Sequence, residues 1–154
     1  MRVLLRLAPV LLLLGAVAGC GAQTVRMEPP LPDAAAEELC TALVADLPDT
    51  LMDAERVDVR PASDLTAAWG DPAIGLRCGV ERPVALAPDS LLEEVNGVPW
   101  LSEPADAPTV FTAVGHEAYV ELLIPTSYGP PAAALTTVSD LVSEHLPPLP
   151  DGEL

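Results

Sequence analysis

Apolar residues recur with the period of an α-helix in two segments of this chain. The first segment is predicted to run from Asp33, a favourable N-cap residue, to about Asp46, where Leu47-Pro48 ends it. The second follows Pro130-Pro131 and continues to about Leu146. The positions predicted to face the core are Leu39, Cys40, Leu43, Val44 and Leu47 in the first helix and Leu135, Val138, Leu141 and Val142 in the second.

Alternation of apolar and polar residues predicts β-strands at 55–61 and 73–80, and a β-hairpin at 109–125. In the strand at 73–80, Cys78 belongs to the apolar face and Arg77 to the opposite face, between two glycines.

A short helix is also predicted, over residues 88–97, because Asp89 or Ser90 could cap it and Asn96-Gly97 could end it. The order helix, strands, helix, hairpin, helix indicates a small α+β single-domain sandwich. Its helices are expected to pack on one face of a mostly antiparallel sheet.

The N-terminus has the pattern of a secretory signal peptide, with Arg2 and Arg6 ahead of an apolar stretch. The uncharged run Leu7–Gly19 is shorter than the roughly 20 residues that span a bilayer. A plain membrane anchor is therefore the less favoured interpretation. We predict a signal peptide at 1–19, a lipidated tether at 20–32, a domain at 33–146 and a flexible tail at 147–154.

The motif Val17-Ala18-Gly19-Cys20 resembles the lipobox of bacterial lipoproteins. This resemblance implies that the Cys20 thiol takes a diacylglyceryl group and that cleavage makes Cys20 the new N-terminus. More than one acyl chain is needed for stable membrane binding. We therefore expect the protein to be held by its lipid anchor on the extracytoplasmic face of the cell membrane.

The mature chain would be strongly acidic. Without residues 1–19 it has five arginines and no lysine against 23 Asp and Glu, a net charge of −18. Such a surface repels nucleic acid phosphates, so nucleic-acid binding is excluded.

Two cysteines remain once Cys20 is assigned to the lipid. In an exported chain Cys40 and Cys78 most simply form a disulfide, which would join the first helix to the strand at 73–80. A metal pair is the alternative, but neither cysteine has a histidine or a second cysteine at ligand spacing.

The stretch "TAAWGDPAIGLRCGV", residues 66–80, allows two interpretations. In the first, Trp69 fills the core, Gly70-Asp71-Pro72 forms a turn, and Arg77 pairs with one of the many acids. In the second, Trp69, Asp71 and Arg77 form a binding surface, with Arg77 receiving an anion in a shallow groove floored by glycine.

The same stretch, with "NGVPW" and "AYVELLIP" after it, resembles the DUF3515 family of actinobacterial exported proteins and lipoproteins. The resemblance covers about Cys40 to Leu146 and is most specific in W-G-D-P and R-C-G. It implies a location in the cell envelope and transfers no activity or catalytic residue.

No catalytic constellation is recognisable. Serine-hydrolase motifs are missing, and with His116 and His145 as the only histidines neither a metal centre nor a cofactor is predicted. Paired carboxylates remain, with Glu93, Glu94, Glu117, Glu121 and Asp71 as candidates.

We therefore expect a non-enzymatic binding or accessory module that contacts an envelope protein or a wall precursor. One alternative is a carboxylate-dependent hydrolase acting on cell-wall polymer, and a second is a purely structural domain without a ligand.

Overall fold

Two α-helices and a nine-stranded sheet form the structured part of the chain in a computed structural model, which describes residues 23–107, 109–150 and 152–154. The elements, in chain order, are β1 (Thr24–Arg26), α1 (Ala34–Ala45), β2 (Thr50–Leu51), β3 (Ala54–Arg60), β4 (Thr66–Trp69), β5 (Ile74–Val80), β6 (Glu93–Val95), β7 (Val98–Glu103), β8 (Val110–Ala113), β9 (Tyr119–Leu123), a short 3₁₀ helix (Thr126–Tyr128) and α2 (Ala132–His145).

The strands follow the order β1-β3-β4-β5-β9-β8-β7-β6, with β2 paired to β3. The contact between β1 and β3 is parallel, and the other described pairings are antiparallel. The predicted α+β architecture with a mostly antiparallel sheet is confirmed.

The main core lies between the helices and one face of the sheet. Asp33 caps α1 as predicted, since its Oδ1 accepts hydrogen bonds from the backbone N–H groups of Ala35 and Ala36, both at 3.0 Å. Alternate residues of β5 and β9 point into this core because a strand presents successive side chains to opposite faces. Ile74, Leu76, Cys78, Val120 and Leu122 are buried there.

The predicted disulfide is present. Cys40 on α1 and Cys78 on β5 are bonded, with 5.4 Å between their Cα atoms, and both are fully buried. The bond fastens the first helix to a central strand of the sheet.

The predicted helix at 88–97 is wrong. Residues 93–95 form strand β6, which pairs with the following strand β7 in a hairpin. The two-residue turn of this hairpin is Asn96-Gly97. Both turn residues have positive φ, 50° and 81°, the conformation that Asn-Gly favours in tight hairpins. The dipeptide that we interpreted as a helix end is the central pair of a β-turn.

The described part of the predicted tether lies against the sheet. Residues 24–26 form strand β1, and the N–H of Met27 donates to the carbonyl of Arg60 at 3.0 Å. We call residues 24–32 the N-terminal strap. The predicted signal peptide and the lipidation site Cys20 lie outside the described residues.

The segment predicted as a flexible tail makes backbone contacts in its first half. The N–H of Leu149 donates to the carbonyl of Gly115 at 2.9 Å, and the N–H of Glu117 donates to the carbonyl of Pro147 at 3.0 Å. Leu154 packs against a second small apolar cluster, which is formed by Leu86, Leu101 and Val114.

A buried hydrogen bond joins α2 to the sheet and gives a first prediction. Trp100 Nε1 donates to Ser139 Oγ at 2.9 Å, and both residues are fully buried. We expect Ser139→Ala to lower the free energy of unfolding by about 1–3 kcal/mol, because the indole N–H would lose its partner inside the core. Urea unfolding measures this. Thr137→Ala, which removes an exposed hydroxyl of the same helix, is the control and is expected to change stability much less.

Candidate functional site

The face of the sheet that points away from the helices carries a row of side chains that is polar except for Leu101 at one end. The pairing register places Leu101, Thr112, Glu121, Arg77 and Thr66 side by side across five strands. We call this side of the sheet the outer face. Its centre is formed by residues of β5, β8 and β9.

Arg77 and Glu121 form an ion pair at this centre. Arg77 Nε donates to Glu121 Oε1 at 2.8 Å, and a terminal guanidinium nitrogen lies 2.7 Å from the same oxygen. The interpretation of Arg77 as the partner of a nearby acid is confirmed. The two side chains are 34% and 23% exposed. At this exposure the pair contributes little to stability, on the order of 1 kcal/mol or less.

The N-terminal strap covers the two glycines that flank Arg77. A side chain at Gly75 would meet Met27, and one at Gly79 would meet Pro32. Gly79 also has a φ of +88° at a register shift between β5 and β9. The glycines expected to floor a binding groove instead accommodate the chain's own N-terminal segment, because their missing side chains leave room for it.

The segment that follows β5, residues 81–86, covers the outer face on the side of Leu101. Leu86 packs with Leu101 and Val114 in the second small apolar cluster, next to the half-buried Tyr119. The Arg82 guanidinium donates to the carbonyl of Leu86 at 2.7 Å, which closes this segment on itself.

A groove of about 470 Å³ remains open between the strap and this segment. Its lining residues are Pro29, Pro30 and Leu31 of the strap, Val80, Glu81, Arg82, Pro83 and Val84 opposite them, and Arg77, Glu103, Thr112 and Glu121 of the sheet. Leu31 is 96% exposed and Val84 fully so. The groove therefore offers exposed apolar side chains from both coverings around a charged floor.

The charges in the groove nearly balance, whereas the chain as a whole is strongly acidic. Arg77 and Arg82 stand against three glutamates, Glu81, Glu103 and Glu121. Because Arg77 engages Glu121, the charge offered to a ligand comes mainly from Glu81, Glu103 and Arg82.

Of the three residues proposed as a binding surface, only Arg77 lines the groove. Trp69 is fully buried, its Nε1 donates to the carbonyl of Pro48 at 2.9 Å, and the Arg56 guanidinium lies 5.6 Å from its ring centre. It cannot contribute to a surface, because its place in β4 directs it toward the helices. Asp71 is exposed in the turn after β4 and does not line the groove.

The candidate carboxylates are also dispersed. Glu121 lies on the groove floor, Glu117 lines a neighbouring pocket, and Glu93 and Glu94 lie on the edge strand β6. Within the described residues, no group of three or more His, Cys, Asp or Glu side chains could hold a metal ion.

Sequence reasoning missed Glu81, Glu103, Leu31 and Val84 as groove residues. The alternation that places Glu121 on the hairpin's outer face was visible in the sequence. No local signal links the other four, because the groove arises from the strap and the segment after β5 closing over the sheet.

No described helix is long and apolar enough to cross a membrane. No curated protein and no solved structure shows significant similarity to the chain. The family model described as "Protein of unknown function (DUF3515)" matches residues 3–150, nearly the whole sequence. The match confirms the resemblance seen around W-G-D-P and R-C-G, and the chain belongs to the DUF3515 family.

Proposed function

We propose that this protein is a lipid-anchored component of the cell envelope and that its domain is a non-enzymatic binding module. The observation that carries the proposal is the groove on the outer face, where exposed Leu31 and Val84 flank the Arg77–Glu121 floor. Exposed apolar groups around a few fixed polar groups are typical of binding surfaces.

An extended peptide segment fits this groove best. The walls are rich in proline and apolar side chains, which suit a peptide backbone and its apolar groups. Within the described residues, neither Glu81 nor Glu103 forms an ion pair, and their carboxylates suit an amino group. Such a segment could belong to an envelope protein or to the peptide part of a wall precursor.

The location rests on two features of the chain. The lipobox-like motif ends at Cys20, and a disulfide joins Cys40 to Cys78. Structural disulfides persist mainly in proteins outside the cytoplasm, which agrees with export and lipidation.

Photocrosslinking in living cells tests the binding surface. A photoreactive residue at position 84, on the groove rim, should capture one dominant envelope component. Position 91 is the matched control, because Leu91 is 94% exposed but lies outside the groove lining. We expect at least a fivefold lower yield at position 91.

The variants Arg77→Gln and Glu121→Gln test whether the floor takes part. We expect either one to reduce capture at position 84 severalfold while changing the free energy of unfolding by about 1 kcal/mol or less, since the pair is partly exposed. Equal capture at positions 84 and 91, or capture unchanged in both variants of a folded domain, would contradict the proposal.

A second candidate is a carboxylate-dependent hydrolase acting on cell-wall polymer, favoured by the three glutamates that line one groove. Purified protein would then release soluble fragments from isolated cell wall. Glu81→Gln, Glu103→Gln or Glu121→Gln would abolish the release. Fragment release with this dependence would replace the binding proposal.

A further inference from the structure

We infer that the strands of the anchored domain point toward the membrane. The end of the sheet that carries the turn at residues 70–73 faces the lipid headgroups, and the opposite end is directed away from them. This orientation rests on the proposed lipidation of Cys20. It concerns a membrane-facing surface that is separate from the groove.

The chain between the anchor and the fold is short. Strand β1 begins at Thr24, so only residues 21–23 separate Cys20 from a residue paired in the sheet. Four Cα–Cα steps reach at most about 15 Å. A tether that extended to Pro32 would have reached roughly 40 Å, enough to lift the domain clear of the bilayer.

The direction of β1 decides which end of the sheet lies near the anchor. β1 runs parallel to β3, with Thr24 opposite Asp58 and Arg26 opposite Arg60. The chain therefore enters β1 from the end of β3 that carries Arg56. Because Arg56 pairs with Trp69, the residue directly before the turn, the chain enters at the same end of the sheet as the turn.

The same end is closed by further contacts around the turn. The N–H of Gly70 donates to the carbonyl of Glu55 at 3.0 Å, and the Tyr128 hydroxyl donates to the carbonyl of Pro72 at 2.8 Å. The turn is thus held to neighbouring segments by hydrogen bonds at the end of the sheet from which the chain enters β1.

The strap then leads away from the anchored end. It passes from Met27 over Gly75 to Pro32 over Gly79, along the direction of β5. The groove wall formed by residues 80–84 follows the far end of β5. The orientation therefore directs this wall away from the bilayer, where a partner could reach it.

Two exposed aspartates mark the two ends of β4. Asp71 follows the strand on the anchored side, and Asp64 precedes it on the far side. Strand β4 itself has four residues, which separates the two positions by roughly 13 Å of extended chain. The pair provides labelling positions with the same residue type, both of them exposed.

The test uses full-length protein purified from its own membranes and reconstituted in vesicles whose lipid headgroups carry a nitroxide. A fluorescent non-natural amino acid replaces Asp71 in one sample and Asp64 in the other. Mass spectrometry of the N-terminal peptide verifies the acyl chains on Cys20 in both. We expect quenching at position 71 to exceed that at position 64 at least threefold.

A spacer variant sharpens the test. Ten Gly and Ser residues inserted between positions 22 and 23 should remove the difference, because the domain could then tumble away from the surface. Equal quenching at both positions without the spacer, with acylation verified, would overturn the orientation and leave the lipid anchor intact. A peptide without acyl chains would overturn both the anchor and the orientation. Neither result depends on the groove, which the crosslinking experiment tests separately.

Discussion

Replacing Cys40 or Cys78 by serine is expected to lower the free energy of unfolding by up to about 4 kcal/mol, the upper figure of the chain-entropy model for a loop of this size. The bond spans 38 residues and joins α1 to a central strand. Its loss enlarges the unfolded ensemble, because the cross-link between these two fully buried positions no longer restricts the unfolded chain. For a domain of this size, whose total stability is typically about 5–15 kcal/mol, the loss is a large fraction.

The two single variants and the double variant distinguish a bond from two independent thiols. Urea unfolding of the single variants should give equal losses, and the double variant should add almost nothing. Reductant should destabilise the original protein by a similar amount and leave both single variants unchanged. Additive losses, or single variants that respond to reductant, would show that the two residues contribute separately.

The sequence predicted the elements whose signals are local. Helical spacing and the Asp33 cap located α1, and the alternation in β5 placed Cys78 on the face that α1 covers. The disulfide was predicted because Cys40 and Cys78 are the two cysteines that remain in an exported chain once Cys20 is assigned to the lipid, and the faces predicted for them agree with the bond. The helix and strand patterns depend on residues within a few positions of one another, so one sequence is sufficient to recognise them.

The features that were missed depend on pairing between distant segments. Arg77 and Glu121 are 44 residues apart, and only the register of β5 against β9 brings them together. The proline-rich strap gave no strand signal because β1 has three residues and is held by its partner β3. Asn96-Gly97 was misinterpreted for a different reason: both helix ends and tight hairpins favour residues with positive φ.

Gly70→Ala is expected to lower the free energy of unfolding by about 3 kcal/mol, combining backbone strain with steric overlap. Gly70 has a φ of +73°, in the region that residues with a side chain adopt at a cost. A Cβ at this position would overlap the Tyr128 hydroxyl and lie 2.9 Å from the Cβ of Ala54. The backbone cannot yield easily, since the Gly70 N–H is bonded to the carbonyl of Glu55.

Gly97→Ala separates the two causes. Gly97 also has a positive φ, +81°, but a Cβ there would meet nothing within 4 Å, so only the strain of about 1 kcal/mol is expected. Tyr128→Phe removes the hydroxyl that the methyl group introduced by Gly70→Ala would overlap. In that background Gly70→Ala should therefore cost less than in the original protein, as a double-mutant cycle in urea would measure. Equal costs for Gly70→Ala in the two backgrounds would assign the effect to φ and to the Ala54 contact, and the Tyr128 hydroxyl would then not restrict the turn.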